Sequence, residues 1–211
     1  DEWQALTLSY TSGTSGRPKG VVYHHRGSYL MSFGTVAAWQ LGQHPTYLYT
    51  VPMFHCNGWG HAWTMALMAA KIVLTRTITA EDIFRLIERH TVTHFGGAPI
   101  VLGMLVNAPD EQRPNLSDRT VRAMTAGAPP PASILEKLSA MGFEVMQVYG
   151  LTETYGHVTQ CVWREEWDDL PFSEQANLQS WQGVTFPMNE DVAVLDTETG
   201  QSVPRDGVTQ G

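Results

Sequence analysis

The sequence predicts an α/β chain with mainly parallel sheets flanked by helices. Two observations carry that expectation. Apolar runs of strand length alternate with segments of helical period, the pattern of βαβ units. The helical segments also carry start and stop signals, and no internal repeat, low-complexity tract or block of like charge interrupts the alternation.

Taken in order, residues 5–10 (ALTLSY) read as a first strand, and residues 21–23 (VVY) as a second, reached through a loop rich in Gly, Ser and Thr. Residues 46–51 (TYLYTV) and 71–74 (KIVL) read as buried strands. Residues 79–82 (TAED) form a capping-box variant, with Asp82 in place of the usual Glu or Gln. The box opens a helix whose Ile83, Phe84, Leu86 and Ile87 share one face, and Glu81 with Arg85 makes a favourable i,i+4 pair. Residues 121–125 (VRAMT) and 144–149 (EVMQVY) are again strands. Between them, Ser133 and Glu136 spell a full capping box after three prolines, and Gly142 is placed to end that helix. From about Cys161 the pattern weakens into a Trp-rich, polar stretch. Order returns at 192–195 (VAVL), which 196–200 (DTETG) turns back as a hairpin.

Composition bounds the function. With 211 residues, 43% of them apolar, the chain is large enough for a real core. Thirteen Lys and Arg against 21 Asp and Glu give a net charge of −8, which argues against a broad basic footprint and hence a nucleic-acid partner. No apolar run approaches the roughly 18 residues of a membrane span, so no integral membrane segment is expected. Cys56 and Cys161 make neither a disulfide framework nor a paired zinc motif. No signal peptide opens the chain, so a cytoplasmic location is the expectation. The start at Asp1 and the stop after a turn-rich stretch are read as the ends of an interior piece of a longer protein.

The loudest feature is residues 10–20 (YTSGTSGRPKG). Gly13, Gly16 and Gly20 allow close backbone approach to a ligand, Thr11, Ser12, Thr14 and Ser15 add hydroxyls, and Arg17 and Lys19 add charge. Backbone N–H groups in such a loop form an anion-binding concavity, suited to a polyphosphate. It differs from the common nucleotide P-loop, which needs Gly-Lys-Ser/Thr at a helix start. Here Pro18 precedes the lysine, Gly20 follows it, and a strand comes next.

Residues 11–20 resemble the phosphate-loop motif of the adenylate-forming superfamily, which holds acyl-CoA synthetases and adenylation domains. Two further stretches match in order. Residues 51–58 (VPMFHCNG) resemble the acyl-site motif of the CoA-ligase branch. Residues 149–153 (YGLTE) resemble the adenine and magnesium motif, with 127–129 (GAP) in the nucleotide-pocket position. The matches cover most of residues 6–160. On this resemblance residues 1–160 hold the phosphate loop, acyl pocket and nucleotide pocket of a large N-terminal domain. Residues 161–211 then lead, through irregular and hairpin segments, to a remainder that is not present.

The resemblance implies ATP-dependent activation of a carboxylic acid to an acyl-adenylate, then thioester formation with CoA. Its cofactors are ATP and Mg²⁺, with CoA as co-substrate, and a homodimer is among the expected partners. Thr11, Ser12, Gly13, Thr14, Ser15 and Gly16 would wrap the β- and γ-phosphates, with Lys19 adding a point charge. Thr152 would hydrogen-bond the α-phosphate and Glu153 would hold Mg²⁺. Tyr149 would stack on adenine beside Gly150, with Gly127 and Ala128 leaving room for the base. A strand-end core aromatic is the plainer reading of Tyr149. His55, Asn57, Gly58 and Trp59 would line the substrate pocket, His55 near the carboxylate. Trp59 is either a wall of that pocket or ordinary core.

Residues 52–63 (PMFHCNGWGHAW) resemble ligases for medium-chain fatty acids and for 3-methylmercaptopropionate. A metal site from His55, Cys56 and His61, or a Cys56–His61 nucleophile pair, fits no standard spacing. Cys56 is read instead as a small buried residue, and His24, His25 and 115–117 (NLS) as structural. The resemblance breaks at both ends: the family's N-terminal region, ribose-binding aspartate, hinge and mobile domain with its lysine are not found. Incomplete turnover is therefore expected of these residues alone. The competing readings are an ATP-binding pseudoenzyme and an adenylation domain that loads a carrier protein.

Overall fold

The computed structural model describes residues 1–11, 17–206 and 208–210. In chain order the strands are β1 (Ala5–Thr11), β2 (Lys19–His24), β3 (Thr46–Tyr49), β4 (Lys71–Leu74), β5 (His94–Gly96), β6 (Val121–Thr125), β7 (Phe143–Leu151), β8 (Gly156–Gln160) and β9 (Val184–Thr185). The helices are α1 (His25–Ala38), α2 (Cys56–Trp59), α3 (His61–Leu67), α4 (Ala80–His90), α5 (Pro99–Val106), α6 (Ala132–Ala140) and α7 (Phe172–Gln179). β1 and β2 form an antiparallel pair with Thr11 opposite Lys19, so the glycine-rich loop does join two strands. The other seven strands form one sheet in the order β4-β3-β5-β6-β7-β8-β9. Its first five strands are parallel, and β8 and β9 extend it antiparallel.

Side-chain alternation along the strands builds a core on each face. Leu48, Phe95, Val121, Ala123, Phe143 and Val145 face one way and pack with Phe84 and Ile87 of α4, Leu102 and Leu105 of α5 and Leu138 of α6. Tyr47, Tyr49, Met124 and Val148 face the other way and pack with Trp39, Trp59 and Met65. Burial on both faces is why residues pointing to either side of these strands are mostly apolar or aromatic.

The expected start of α4 is present: Thr79 is the N-cap and its hydroxyl accepts from the Asp82 N–H at 3.1 Å. The expected Glu81–Arg85 pair is replaced by Asp82–Arg85, one turn apart at 2.6 Å. Asp82 lies between Arg85 and the hydroxyls of Thr77 and Thr79. The Thr77 hydrogen bond first, and then Arg85, holds its carboxyl down at about 2. The Ser133–Glu136 capping box does not form. Pro131 is the N-cap, and the helix begins at Ala132, so Ser133 is already inside the first turn. Gly142 does stop α6, at φ 89° with its N–H on the Ser139 carbonyl at 3.0 Å.

Helix α1 was not anticipated. His24 caps it, Nδ1 accepting from the Gly27 N–H at 3.0 Å, while its buried face carries Ser28, Ser32, Gly34 and Thr35 beside Met31. Such a face shows little apolar periodicity. Within 161–211, helix α7 adds order that the sequence did not announce. The hairpin at 196–200 is present, with Leu195 bridged to Ser202.

Candidate functional site

The parallel strands β3, β5, β6 and β7 end on the same side of the sheet, and each runs into a segment singled out above or beside one. β3 leads to His55, β5 to Gly97 and Ala98, β6 to Gly127 and Ala128, and β7 to Thr152 and Glu153. In open parallel sheets, ligands bind beyond the carboxyl ends of the strands. The β1–β2 hairpin is tied to the same side by hydrogen bonds.

The most unusual backbone lies at residues 56–60. Cys56, Asn57, Gly58, Trp59 and Gly60 have φ of 45°, 47°, 61°, 59° and 71°, a full turn of left-handed chain. Such a conformation costs a non-glycine residue roughly 1–2 kcal/mol, so neighbours must hold it. Asn57 Oδ1 accepts from the Thr7 hydroxyl and, at 3.4 Å, from the Ser9 hydroxyl, both on β1. The Tyr49 hydroxyl donates to the Gly58 carbonyl at 3.1 Å. A Cβ at Gly58 would lie 2.0 Å from that hydroxyl oxygen. Asn57 and Gly58 are thus the fasteners of the turn, while His55 stands exposed at its entrance.

Thr152 is the second focus. Its carbonyl accepts from the Tyr23 hydroxyl of β2 at 2.7 Å, and its Oγ1 lies 3.0 Å from Cys56 Sγ. Tyr155 stacks on Tyr23 with centroids 4.4 Å apart, and its hydroxyl accepts from the His24 N–H at 2.9 Å. Burial raises the Tyr23 phenol above its ordinary range and likewise pushes the Cys56 thiol up, so both stay protonated near neutrality. Cys56 is therefore half-buried with a polar contact, rather than simply buried.

Glu153 is exposed and makes no hydrogen bond or ion pair among the described residues. A free carboxylate beside a threonine hydroxyl is a hard oxygen donor of the kind Mg²⁺ takes together with phosphate oxygens, so the residues present fit that ion. Gly127, at φ 92°, has open space where a Cβ would sit, and Ala128 beside it is exposed. Tyr149 is 44% exposed, which removes the core-aromatic reading. Gly150 has a packing reason of its own, since a Cβ there would lie 1.7 Å from the Gly156 carbonyl oxygen on β8. Thr11 and Lys19 face each other at the mouth of the hairpin. Ser12, Gly13, Thr14, Ser15 and Gly16 lie outside the described residues.

Trp59 is buried, in the apolar cluster with Tyr47 and Tyr49 and against Gly96. His61 is fully buried, its Nδ1 2.6 Å from the Tyr47 hydroxyl, and burial pulls it well below its ordinary range. It faces the core, away from a shared site with exposed His55. Among the described residues no group of three His, Cys, Asp or Glu side chains is placed to hold a metal. Thr7, Ser9, Tyr23 and Tyr155 were missed by the sequence reading. Each acts across at least 48 residues, and no local spacing announces such a contact.

The fold is a parallel α/β domain with a separate glycine-rich antiparallel strand pair. Residues 1–211 match the family described as "AMP-binding enzyme" over their whole length, and the chain belongs to that family. It is 47% identical over 211 residues to an acetate/butyrate–CoA ligase of Arabidopsis thaliana, named as peroxisomal. It is 46% identical over 210 residues to a 2-methylpropanoate–CoA ligase of Humulus lupulus. Each match covers 100% of this chain and 37% of the relative, so the chain spans just over a third of their length. Among solved structures, the N-terminal domain of FACL13 from Mycobacterium tuberculosis superposes with a TM-score of 0.80 at 26% identity, over 94% of this chain and 47% of that one. The O-succinylbenzoate–CoA synthetase of Bacillus subtilis, at 23% identity and a TM-score of 0.76 over 97% of this chain and 40% of that one, shows the shared fold.

Proposed function

We propose that the complete gene product carrying these residues activates a short-chain carboxylic acid with ATP and transfers the acyl group to CoA. A carboxylate is a poor acyl donor because its leaving group would be oxide. Attack of a carboxylate oxygen on the α-phosphorus expels pyrophosphate and leaves an acyl-adenylate. Attack of the CoA thiol sulfur on the acyl carbon then expels AMP, and the thiol proton goes to solvent. The observation that carries this reading is the direct fastening of three motifs. Asn57 ties the acid-site turn to β1, Cys56 touches Thr152, and Tyr23 ties β2 to the Thr152 carbonyl.

In this reading Thr11 and Lys19 flank the phosphates together with residues 12–16, and Thr152 donates to the α-phosphate. Gly127, Ala128, Tyr149 and Gly150 bound the adenine. His55, at the entrance of the left-handed turn, orients the substrate carboxylate. Glu153 would hold Mg²⁺, which when bound would neutralise phosphate charge that otherwise repels an anionic acid. The small acids named for the two ligases above support a short-chain substrate, while Trp59 belongs to the core behind the turn. The homodimer and the cytosolic location expected from the sequence carry no support from the comparisons.

The test is thioester formation by the complete gene product with acetate, butyrate, 2-methylpropanoate and 3-methylmercaptopropionate, with CoA or a carrier protein as acceptor. CoA thioesters of one or more of these acids support the reading. Transfer to the carrier alone would replace it with a carrier-loading adenylation domain.

A further inference from the structure

Both oxygens of Thr152 are gripped by side chains from distant parts of the chain. Tyr23 holds the carbonyl at 2.7 Å, which fixes the backbone. The freedom that remains is rotation of the side chain and its hydroxyl proton. Among the described residues the one hydrogen-bond partner of that hydroxyl is the thiol of Cys56, at 3.0 Å.

The thiol is itself held in place. It projects from the left-handed turn whose next residue, Asn57, is hydrogen-bonded to Thr7 and Ser9, and whose Gly58 carbonyl is held by Tyr49. One proton lies between sulfur and oxygen, and each group has one to give. If Thr152 donates to sulfur, it shows an approaching phosphate only lone pairs. If the thiol donates, the threonine proton is free for a phosphate oxygen.

We infer that Cys56 is a positioning residue for nucleotide binding: its thiol donates to Thr152 Oγ1 and so turns the Thr152 hydroxyl proton outward, toward the phosphate. This rests on the reading above that Thr152 meets the nucleotide. Burial, which keeps the thiol protonated, is consistent with the donor role. A serine at 56 would keep a donor, whereas an alanine would let the threonine hydroxyl rotate freely.

The experiment is equilibrium titration of Mg–ATP into the complete gene product and its variants Cys56→Ser, Cys56→Ala, Thr152→Ala and the double Cys56→Ala/Thr152→Ala. Losing one neutral hydrogen bond's worth of orientation should weaken Mg–ATP binding about 3- to 10-fold in Cys56→Ala. Cys56→Ser should restore most of that. In the Thr152→Ala background the Cys56→Ala change should have no further effect, since the group it orients is gone. Unchanged binding by Cys56→Ala, or the same loss with and without Thr152, would overturn the inference. Its failure is separable from failure of the function reading. A wild type that binds Mg–ATP but activates no carboxylate removes the ligase reading and leaves this titration decisive. A wild type that does not bind Mg–ATP overturns both.

Discussion

The Tyr23 hydroxyl donates a 2.7 Å hydrogen bond to the carbonyl of Thr152, 129 residues further along the chain. This bond joins the second strand of the glycine-rich hairpin to the segment that carries Glu153. Tyr23→Phe keeps the buried ring and removes the donor. The Tyr155 N–H, at 3.4 Å, is then the remaining partner of the carbonyl. The expected cost is about 1 kcal/mol of stability, with weaker binding of ATP and no change in affinity for the acid. Thermal denaturation and ATP titration check it; a variant equal to wild type in both would show the bond to be incidental.

Glu153→Gln tests the metal reading. The amide keeps the shape and loses the charge, so kcat/KM for Mg–ATP should fall on the order of 100-fold or more, with the fold intact. Chelation by EDTA should abolish turnover of the wild type, and added Mg²⁺ should restore it. Activity that survives EDTA would count against a metal at this carboxylate.

Gly58→Ala should be severe, because its Cβ would meet the Tyr49 hydroxyl at 2.0 Å and the residue sits at φ 61°. A loss of about 2–4 kcal/mol is expected in chemical denaturation. Adding Tyr49→Phe removes the clashing oxygen and should recover part of the loss, leaving the backbone strain. A fully stable Gly58→Ala protein would mean that the turn can relax.

Three buried histidines set an acid limit on stability. Burial holds His94 and His157 down at about 4 and His61 well below its usual range, so all three fold neutral. The unfolded chain binds protons at each of them below about pH 6.5, whereas folded His94 and His157 do not until about pH 4, and burial holds folded His61 well below its ordinary range. Their contribution is fully present above pH 6.5 and is lost as the pH falls, at about 1.4 kcal/mol per pH unit for each histidine that titrates only in the unfolded chain. Denaturation midpoints measured from pH 7.5 to 4.5 should be flat and then fall steeply, with a shallower fall in His157→Gln. A flat profile through pH 5 would contradict the buried neutral state.

How much of this was legible in the sequence follows from where the information sits. β3, β6 and β7 lie inside the sheet and were legible from their mainly apolar residues, whereas 71–74, read as a buried strand, is the edge strand β4, in which only Val73 is buried. The stretches around His55 and Thr152 could be singled out because their distinctive residues are contiguous in the sequence, while residues 12–16 of the glycine-rich loop lie outside the described residues. The Thr79 cap was legible for the same reason, whereas the box at Ser133 was misread because Pro131 takes the capping position. Helix α1 was hidden by the small and polar residues on its buried face. The contacts of Tyr23, Asn57 and Tyr155 exist only once distant strands are side by side. The left-handed turn was half visible in Asn57-Gly58, but Cys56 and Trp59 give no sign of positive φ.

On the proposed function these motifs serve the formation of an acyl-adenylate. Carboxylate-dependent exchange of pyrophosphate into ATP, measured without CoA on the complete gene product, tests it most directly. Exchange is expected with short acids such as acetate and butyrate, and is expected to be lost in Glu153→Gln. Absence of exchange with every acid, while Mg–ATP still binds, would contradict it and leave a nucleotide-binding protein without the chemistry.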